Sequence, residues 1–182
     1  RVRCRLNSST PPAPRLDVLL ALPRPKVMKR LWAPLASLGV AHVGLTNAER
    51  VERNYFDTHW LEPVHYEPLL VEGLEQAGDT RLPRVTIIKR LKPFLEDELD
   101  ETFAGARRLV AHPGEGLSIG QVRLEPGQRV LVAIGPEGGW TDFELAMFDR
   151  AKFTRVSMGA RTLRTDTAVI ALLAVLRSLQ GE

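Results

Sequence analysis

Three short loops contain the residues of this sequence that could do chemistry, and each loop follows a predicted strand. They cover residues 110–114, 134–140 and 157–165, and contain His112, Glu137, Arg161 and Arg164 among several glycines. In an open α/β sheet, ligands bind at the carboxyl ends of the strands. If the three strands are neighbours, the three loops form one pocket.

The middle loop, Gly135-Pro136-Glu137-Gly138-Gly139, has three glycines in five residues. Glycines let a ligand lie against the backbone and permit positive φ, so a valine at Gly138 should block the ligand or forbid the loop's φ. The following residues, 141–144, form a capping-box pattern that begins a helix. Neither a phosphate P-loop nor a dinucleotide fingerprint is present. The pattern predicts backbone recognition of a ligand, and a plain strand-to-helix turn is the alternative.

Arg161 and Arg164 flank the predicted start of the last helix, where the helix dipole adds to their positive potential. The alternative is that both are ordinary surface arginines. His112 follows a strand and is a candidate general base. The other histidines show no ligand spacing, and Cys4 is the one cysteine, so we expect neither a metal site nor a disulfide framework.

The chain has 182 residues, of which 44% are hydrophobic, and this suits one α/β domain. Its longest apolar run, 168–176, is far shorter than the ~20 residues needed to cross a bilayer. With 25 Lys and Arg against 22 Asp and Glu, the formal charge is only +3, but the segments 24–30 and 150–164 contain cations and no acid. Such segregation favours a face for phosphates, or else each run is a solvated surface.

Predicted strands and helices alternate along the chain, which implies a mostly parallel sheet with helices on both faces. The predicted strands are 18–22, 40–45, 85–88, 109–111, 130–134 and 153–157, and the predicted helices are 26–38, 64–77, 94–103, 142–151 and 166–179. Pro34 should kink the first helix or move its start. The last helix is apolar nearly all round, so it lies under the sheet or packs against a second copy of the chain.

Residues 1–15 are rich in Pro and Arg and lack a core period, which predicts a flexible tail ahead of a domain spanning 16–182. The same composition fits the remnant of an organelle transit peptide or the end of an upstream domain.

Residues 131–168 (LVAIGPEGGW…VSMGARTLRTDTA) resemble the C-terminal motif block of the 16S rRNA uridine-N3 methyltransferases of the RsmE type, within the SPOUT superfamily. The resemblance extends over residues 16–179. It includes Leu38-Gly39-Val40, Glu49-Arg50-Val51, Glu75-Gln76-Ala77 and the segment 109–113.

This resemblance implies a C-terminal trefoil knot, a homodimer and S-adenosylmethionine as cofactor. It implies that Glu137 and Arg164 are catalytic, and that part of the basic surface contacts rRNA or the small ribosomal subunit. The implied cofactor-binding residues are Ala111, His112, Gly135, Pro136, Glu137, Gly138, Gly139, Met158, Gly159, Leu163, Arg164 and Thr165. The expected RNA-binding residues are Arg24, Lys26, Arg30, Arg81 and Arg161.

The chain departs from the family pattern at Pro34, Ser37 and Asp79, where relatives often carry RNA-contacting side chains. The family also usually has an N-terminal RNA-binding domain, of which residues 1–15 are the expected remnant. A second hypothesis is therefore a non-catalytic RNA-binding or ribosome-assembly factor, and binding of S-adenosylmethionine separates the two. The expected compartment is the cytoplasm of a bacterium, or a plastid or mitochondrion of a eukaryote.

Overall fold

The computed structural model describes residues 13–114 and 116–181. Most of the predicted tail, residues 1–12, lies outside the described residues. The domain is engaged one residue before the predicted boundary, because the carbonyl oxygen of Arg15 accepts hydrogen bonds from the backbone N–H of Val130 at 2.8 Å and from the side chain of Gln180 at 3.3 Å.

The described residues form one seven-stranded sheet in which every pairing is parallel, with the order β3-β2-β1-β6-β4-β7-β5. The strands are β1 (Leu16–Ala21), β2 (Val40–Thr46), β3 (Arg84–Ile88), β4 (Arg107–Ala111), β5 (Leu117–Ser118), β6 (Val130–Ile134) and β7 (Thr154–Ser157). The central strands β1 and β6 are buried along their whole length, as parallel strands covered on both faces should be. The predicted α/β class is confirmed.

Helices separate most of the successive strands along the chain, and the last helix follows β7. They are α1 (Pro25–Ser37), α2 (Pro63–Ala77), α3 (Leu91–Pro93), α4 (Leu99–Thr102), α5 (Asp142–Arg150) and α6 (Thr165–Leu179). Helix α1 begins with Pro25 in its first turn, where a missing N–H costs nothing, and continues through Pro34. The alternative that Pro34 moves the helix start is therefore wrong.

A π-helical turn, Phe94–Glu98, joins α3 to α4 where the sequence predicts one regular helix. Leu95, Leu99 and Phe103 are buried at the four-residue intervals of a regular helix, and Phe94, five residues before Leu99, is buried as well. The wider turn brings Phe94 and Leu99 to the same face, which a regular helix would not do. Sequence reasoning also missed β5 and the 3₁₀ turns Arg53–Asp57 and His59–Leu61, which are too short to show a period.

Helix α6 packs on β1, β6, α1 and the 3₁₀ turn Ile119–Gln121, and it buries Val169, Leu172, Leu173 and Leu176. Its other face stays open, with the side chain of Ile170 43% exposed. The apolar helix therefore lies on the sheet and still presents an apolar residue outward.

Candidate functional site

A cavity of about 250 Å³ lies at the carboxyl edge of β6, β4 and β7, which are neighbours in the sheet. The three predicted loops form its walls, so the expectation of one shared pocket is confirmed. We call it the carboxyl-edge cavity. The lining residues are Arg50, Ala111, His112, Pro113, Ile134, Gly135, Pro136, Glu137, Gly138, Gly139, Trp140, Val156, Met158, Gly159, Arg161, Thr162, Leu163, Thr165, Ala168 and Leu172.

The strand register brings the loops together. Ala111 of β4 pairs with Ile134 of β6 on one side and with Val156 of β7 on the other. The backbone N–H of His112 then donates to the carbonyl oxygen of Val156 at 2.9 Å, which extends the pairing one residue into the first loop. Each loop therefore leaves the sheet at the same level.

The glycine loop turns sharply over a buried tryptophan. The N–H of Gly139 donates to the carbonyl oxygen of Pro136 at 2.8 Å, and Gly139 has a φ of +73°. A Cβ at Gly135 would lie 3.2 Å from the indole nitrogen of Trp140, which is almost fully buried. Glycine is thus favoured at Gly139 by its left-handed conformation and at Gly135 by its close approach to the indole. The left-handed φ that the sequence suggested for Gly138 belongs to Gly139.

The predicted capping box closes the glycine loop onto α5. The hydroxyl of Thr141 accepts from the N–H of Glu144 at 3.3 Å, and the Glu144 carboxylate accepts from the N–H of Thr141 at 2.8 Å. The position of the loop relative to the sheet is therefore set by the first turn of α5.

A fourth segment, 47–52 after β2, holds the glycine loop from outside. The guanidinium of Arg50 donates to the carbonyl oxygen of Gly138, and the Glu144 carboxylate accepts from the N–H of Glu49 at 2.8 Å. Sequence reasoning missed Arg50 as a site residue. The signal was present in the Glu49-Arg50-Val51 segment of the resemblance, but its distance along the chain from the glycine loop hid the contact.

The third loop wraps the remaining side of the cavity. The N–H of Gly159 donates to the hydroxyl of Ser157 at 3.1 Å, and Gly159 has a φ of +99°. Met158, Gly159, Leu163 and Thr165 line the cavity as the sequence predicts, together with Arg161, which was predicted to bind RNA. Arg164 is exposed at the N-cap of α6, outside the cavity lining.

Two buried ring nitrogens of lining residues lack a hydrogen-bond partner within the described residues. They are Nδ1 of His112 and Nε1 of Trp140. Buried polar atoms almost always have a partner, so unpaired ones on a cavity wall indicate a polar ligand. With the exposed backbone of the glycines, these atoms fit an amphipathic ligand that has both polar groups and flat apolar surface, as S-adenosylmethionine has.

Four of the five predicted RNA-binding cations lie on the same edge as the cavity. Arg24 and Lys26 follow β1 at the start of α1, and Arg161 lines the cavity. Arg30 pairs with Asp166 at 2.8 Å. Desolvation of the Asp166 carboxylate acts to raise its pKa. The hydrogen bonds from Arg30 and from the Thr167 N–H, with the charge of Arg164, outweigh this effect and hold the pKa of Asp166 below its usual value.

Arg81 does not join this group, because it precedes β3 at the opposite edge of the sheet. Asp79, which departs from the family pattern, lies there too. Its carboxylate accepts from the N–H groups of Thr80 at 2.6 Å and Arg81 at 3.2 Å, just after the left-handed Gly78 that ends α2. Asp79 therefore organises the turn between α2 and β3.

The described residues contain no group of three or more His, Cys, Asp or Glu side chains arranged to hold a metal ion. Among the same residues, no helix is long and apolar enough to span a membrane.

A parallel α/β sheet with a glycine-walled cavity at its carboxyl edge is the architecture of a nucleotide-type cofactor domain. The comparisons define the class more closely: residues 10–177 match the model of the RNA methyltransferase domain family, and the chain belongs to that family.

Two relatives carry more specific names. The chain is 34% identical over 165 residues to ribosomal RNA small subunit methyltransferase E of Treponema pallidum, covering 88% of this chain and 60% of that protein. It is 32% identical over 157 residues to ribosomal RNA small subunit methyltransferase E 1 of Borreliella burgdorferi, covering 86% and 64%. The chain thus spans under two thirds of the length of these relatives.

A solved structure, a methyltransferase from Legionella pneumophila in complex with the bound cofactor SAM, superimposes with a TM-score of 0.78 at 25% identity. The match covers 91% of this chain and 66% of that one. The expected family and fold class are confirmed.

Proposed function

We propose that this domain is an S-adenosylmethionine-dependent methyltransferase that modifies N3 of a uridine in small-subunit rRNA. The observation that carries the proposal is the carboxyl-edge cavity, with its glycine backbone and the two unpaired ring nitrogens of His112 and Trp140. The names of the relatives and the SAM-bound structure support it. Family membership alone would allow many RNA targets; the uridine follows from the resemblance to the RsmE type.

All of the predicted cofactor residues except Arg164 line the carboxyl-edge cavity, and this supports their proposed role in holding S-adenosylmethionine. Gly135, Gly138 and Gly139 present backbone on one wall, Met158 and Leu163 supply apolar surface on another, and the remaining lining residues close the cavity. When bound, S-adenosylmethionine supplies an electrophilic methyl group on its sulfonium.

Uridine N3 carries an imide proton, which must leave before the nitrogen becomes a nucleophile. Glu137 is the carboxylate among the lining residues. It is exposed, so it can accept the N3 proton from a uracil ring placed at the cavity mouth. Arg164 lies just outside the lining at the N-terminus of α6, where its cation and the helix dipole can stabilise charge developing on a uracil oxygen. Holding the two reactants in line supplies much of the remaining rate.

The substrate-binding face extends from the cavity along the start of α1. Arg24 and Lys26 are exposed there, and Arg30 is held beside the N-terminus of α6 by Asp166. Cations spread along one edge suit a phosphate backbone. Arg161, at the cavity wall, would lie nearest the target nucleotide.

A homodimer and a trefoil knot remain proposals that rest on the family resemblance. The open apolar face of α6, which includes Ile170, supports the dimer. The contact of α6 with the 3₁₀ turn Ile119–Gln121 supports the knot, since the end of a threaded chain must pass beside the loop that encloses it. An RNA-binding domain ahead of residue 16, and a bacterial cytoplasm, plastid or mitochondrion as the compartment, are proposed on the same resemblance.

One experiment in two stages tests the function. Calorimetry with S-adenosylmethionine should show binding, which the non-catalytic hypothesis does not require. Transfer of a labelled methyl group into undermethylated small ribosomal subunits should then occur, with label at N3 of uridine after nucleoside digestion. Binding without transfer to any small-subunit RNA would contradict the proposed activity.

A further inference from the structure

A second and larger cavity, of about 650 Å³, lies at the opposite edge of the sheet, where β4 begins and α5 ends. We call it the amino-edge cleft. It is lined by Lys92, Leu95, Glu96, Asp100, Gly105, Ala106, Arg107, Arg108, Gln128, Met147, Arg150, Ala151 and Lys152. Nothing in the proposed reaction uses it.

The cleft is rich in cations, with five against the two acids Glu96 and Asp100. Two of the cations are paired: Lys92 lies 3.9 Å from Glu96, and Arg108 bonds to Asp100. The other three, Arg107, Arg150 and Lys152, are exposed and form no ion pair with any residue of 13–114 or 116–181. The cleft therefore presents unneutralised positive charge.

The carbonyl end of α5, which would repel an anion, is covered. Arg108 donates to the carbonyl oxygen of Ala151 at 3.0 Å, and the N–H groups of Lys152 and Phe153 bond to the carbonyls of Asp149 and Phe148 at 3.0 and 2.9 Å. The latter two bonds are the Schellman pattern that ends many helices. The negative pole of the helix is thus satisfied within the protein.

Lys152 occupies the position of that pattern where glycine is usual. Its φ is +63°, and it is the one residue other than glycine with a positive φ in the described part of the chain. A side chain in this conformation costs of order 1 kcal/mol relative to glycine. A strained residue at a cleft wall points to a role for its side chain, here an ammonium group beside Arg150.

We propose that the amino-edge cleft binds the phosphate backbone of the RNA substrate, as a second contact remote from the reacting nucleotide. The inference rests on the proposed function, because it needs an RNA substrate. The exposed cations come from two elements, the start of β4 and the end of α5, so they are spread along a surface and do not enclose a single ion. Spread charges of this kind match a chain of phosphates.

The geometry connects the two sites through a single strand. Arg107 begins β4 and Ala111 ends it at the carboxyl-edge cavity, four residues and about 13 Å apart. Because β4 is buried between the two sites, an RNA must pass around the surface of the domain and span more than this straight-line distance. A substrate of several nucleotides can therefore place a base at the cavity and its backbone along the cleft.

The test uses Lys152→Gly, which removes the cation and also relieves the left-handed strain. This variant should unfold at a higher temperature than the wild type yet bind a fluorescein-labelled fragment of small-subunit rRNA more weakly. We expect the affinity to fall by about fivefold to tenfold for Lys152→Gly combined with Arg150→Gln. The slope of log affinity against log salt should become shallower by about 0.7–0.9 for each phosphate that the variant no longer neutralises. Lys152→Asn, which also tolerates the conformation, keeps the test valid if glycine loosens the turn.

Arg123→Gln is the control, since Arg123 is an exposed arginine that does not line the cleft, and the variant should bind RNA as the wild type does. Affinity for S-adenosylmethionine should be unchanged in every variant. If the wild type binds RNA and the cleft variants bind it with the same affinity and salt slope, the cleft is not an RNA site and the proposed function stands. If the wild type binds no RNA, the cleft proposal and the proposed function both fail.

Binding of inorganic phosphate distinguishes a site for a free ion from a site for the RNA backbone. If phosphate alone binds the wild type and not Lys152→Gly, while the RNA affinities of the two proteins are equal, the cleft takes a free ion and the backbone proposal is overturned. At matched ionic strength we expect phosphate to compete with RNA more strongly in the wild type than in Lys152→Gly, which keeps only the contacts outside the cleft.

Discussion

The buried carboxylate of Glu144 accepts a hydrogen bond from the backbone N–H of Glu49 at 2.8 Å, across 95 positions of sequence. The same side chain accepts from the N–H and the hydroxyl of Thr141 at 2.8 and 3.0 Å. One carboxylate thus joins the segment after β2 to the first turn of α5. Because the glycine loop lies between these two elements, Glu144 positions the wall of the carboxyl-edge cavity without lining it.

Glu144→Gln should loosen this wall. An amide has one acceptor oxygen, so its NH₂ group would face an N–H donor that the carboxylate now satisfies, at a cost of about 1–3 kcal/mol in the free energy of unfolding. Affinity for S-adenosylmethionine should fall by about tenfold, equivalent to ~1.4 kcal/mol, as measured by calorimetry. Asp142→Asn, an exposed carboxylate in the same turn, is the matched control and should change the affinity little. Equal affinities for S-adenosylmethionine in the two variants would show that the hydrogen bonds of Glu144 do not position the cavity.

Two glycines of the loop should respond to substitution for different reasons. Gly139 has a φ of +73° with no atom within 4 Å of a Cβ, so Gly139→Val should weaken cofactor binding through backbone strain, and Gly139→Asn should be tolerated better. At Gly138 a Cβ would lie 2.8 Å from Cδ of Arg50, so Gly138→Ala should displace that side chain.

A double-mutant cycle distinguishes the Gly138–Arg50 contact from backbone strain at Gly139. In the background of Arg50→Ala, the effect of Gly138→Ala on S-adenosylmethionine affinity should shrink, whereas that of Gly139→Val should not. Additive effects of Gly138→Ala and Arg50→Ala would contradict the contact argument.

Arg164→Ala tests the assignment of this exposed residue to the substrate side. Since Arg164 does not line the cavity, cofactor affinity should remain nearly intact, while methyl transfer should fall by roughly 10²–10³, as expected for losing one donor to a developing oxyanion. Arg164→Lys should restore only part of the rate, because an ammonium lacks the planar guanidinium fork. Loss of cofactor binding in the alanine variant would instead place Arg164 in the cofactor site, and unchanged transfer would make Glu137 the next residue to test.

The proposed dimer predicts a mass of twice 20.3 kDa by light scattering at micromolar concentration. Ile170→Asp should shift the protein toward the monomer with the fold retained, because that side chain is 43% exposed on α6. Leu172 is the contrasting position. It is buried in the domain and lines the cavity, so Leu172→Asp should unfold the domain and cannot report on the interface. A single-chain mass for the wild type would exclude the dimer.

The strands and the three loops were predictable because their signals are local. A run such as 130–134 is apolar on both pleat faces, and a glycine cluster after it indicates a turn at the carboxyl edge. The contact of Arg50 with the glycine loop and the hydrogen bonds of Glu144 were not predictable, because they depend on which elements the fold places beside the loop. The position of Arg81 ahead of β3, at the edge of the sheet opposite the cavity, was not predictable for the same reason. The amino-edge cleft combines residues from β4 and α5 whose charges look like ordinary solvated surface in sequence.

A buried histidine at the amino edge of the sheet should make stability depend on pH. Burial, and then the positive charges of Arg84 and Arg129, lower the pKa of His42 from 6.5 to about 4. Its ring bonds to the Thr86 hydroxyl at 2.8 Å and packs on Phe103. The nearby carboxylate of Asp17, itself paired with Arg129, has a pKa raised by burial.

The direction of this pH dependence follows from the lowered pKa of His42. Between pH 6.5 and about 4 the unfolded chain binds a proton at His42 that the folded domain does not, so stability is full above pH 6.5 and falls as the pH drops toward 4. The loss from this one group should be roughly 3 kcal/mol. Denaturant unfolding of the wild type and of His42→Gln across this range measures it. Because Asp17 and the arginines are present in both proteins, their contributions largely cancel in the difference, and a difference independent of pH would show that His42 does not titrate in this way.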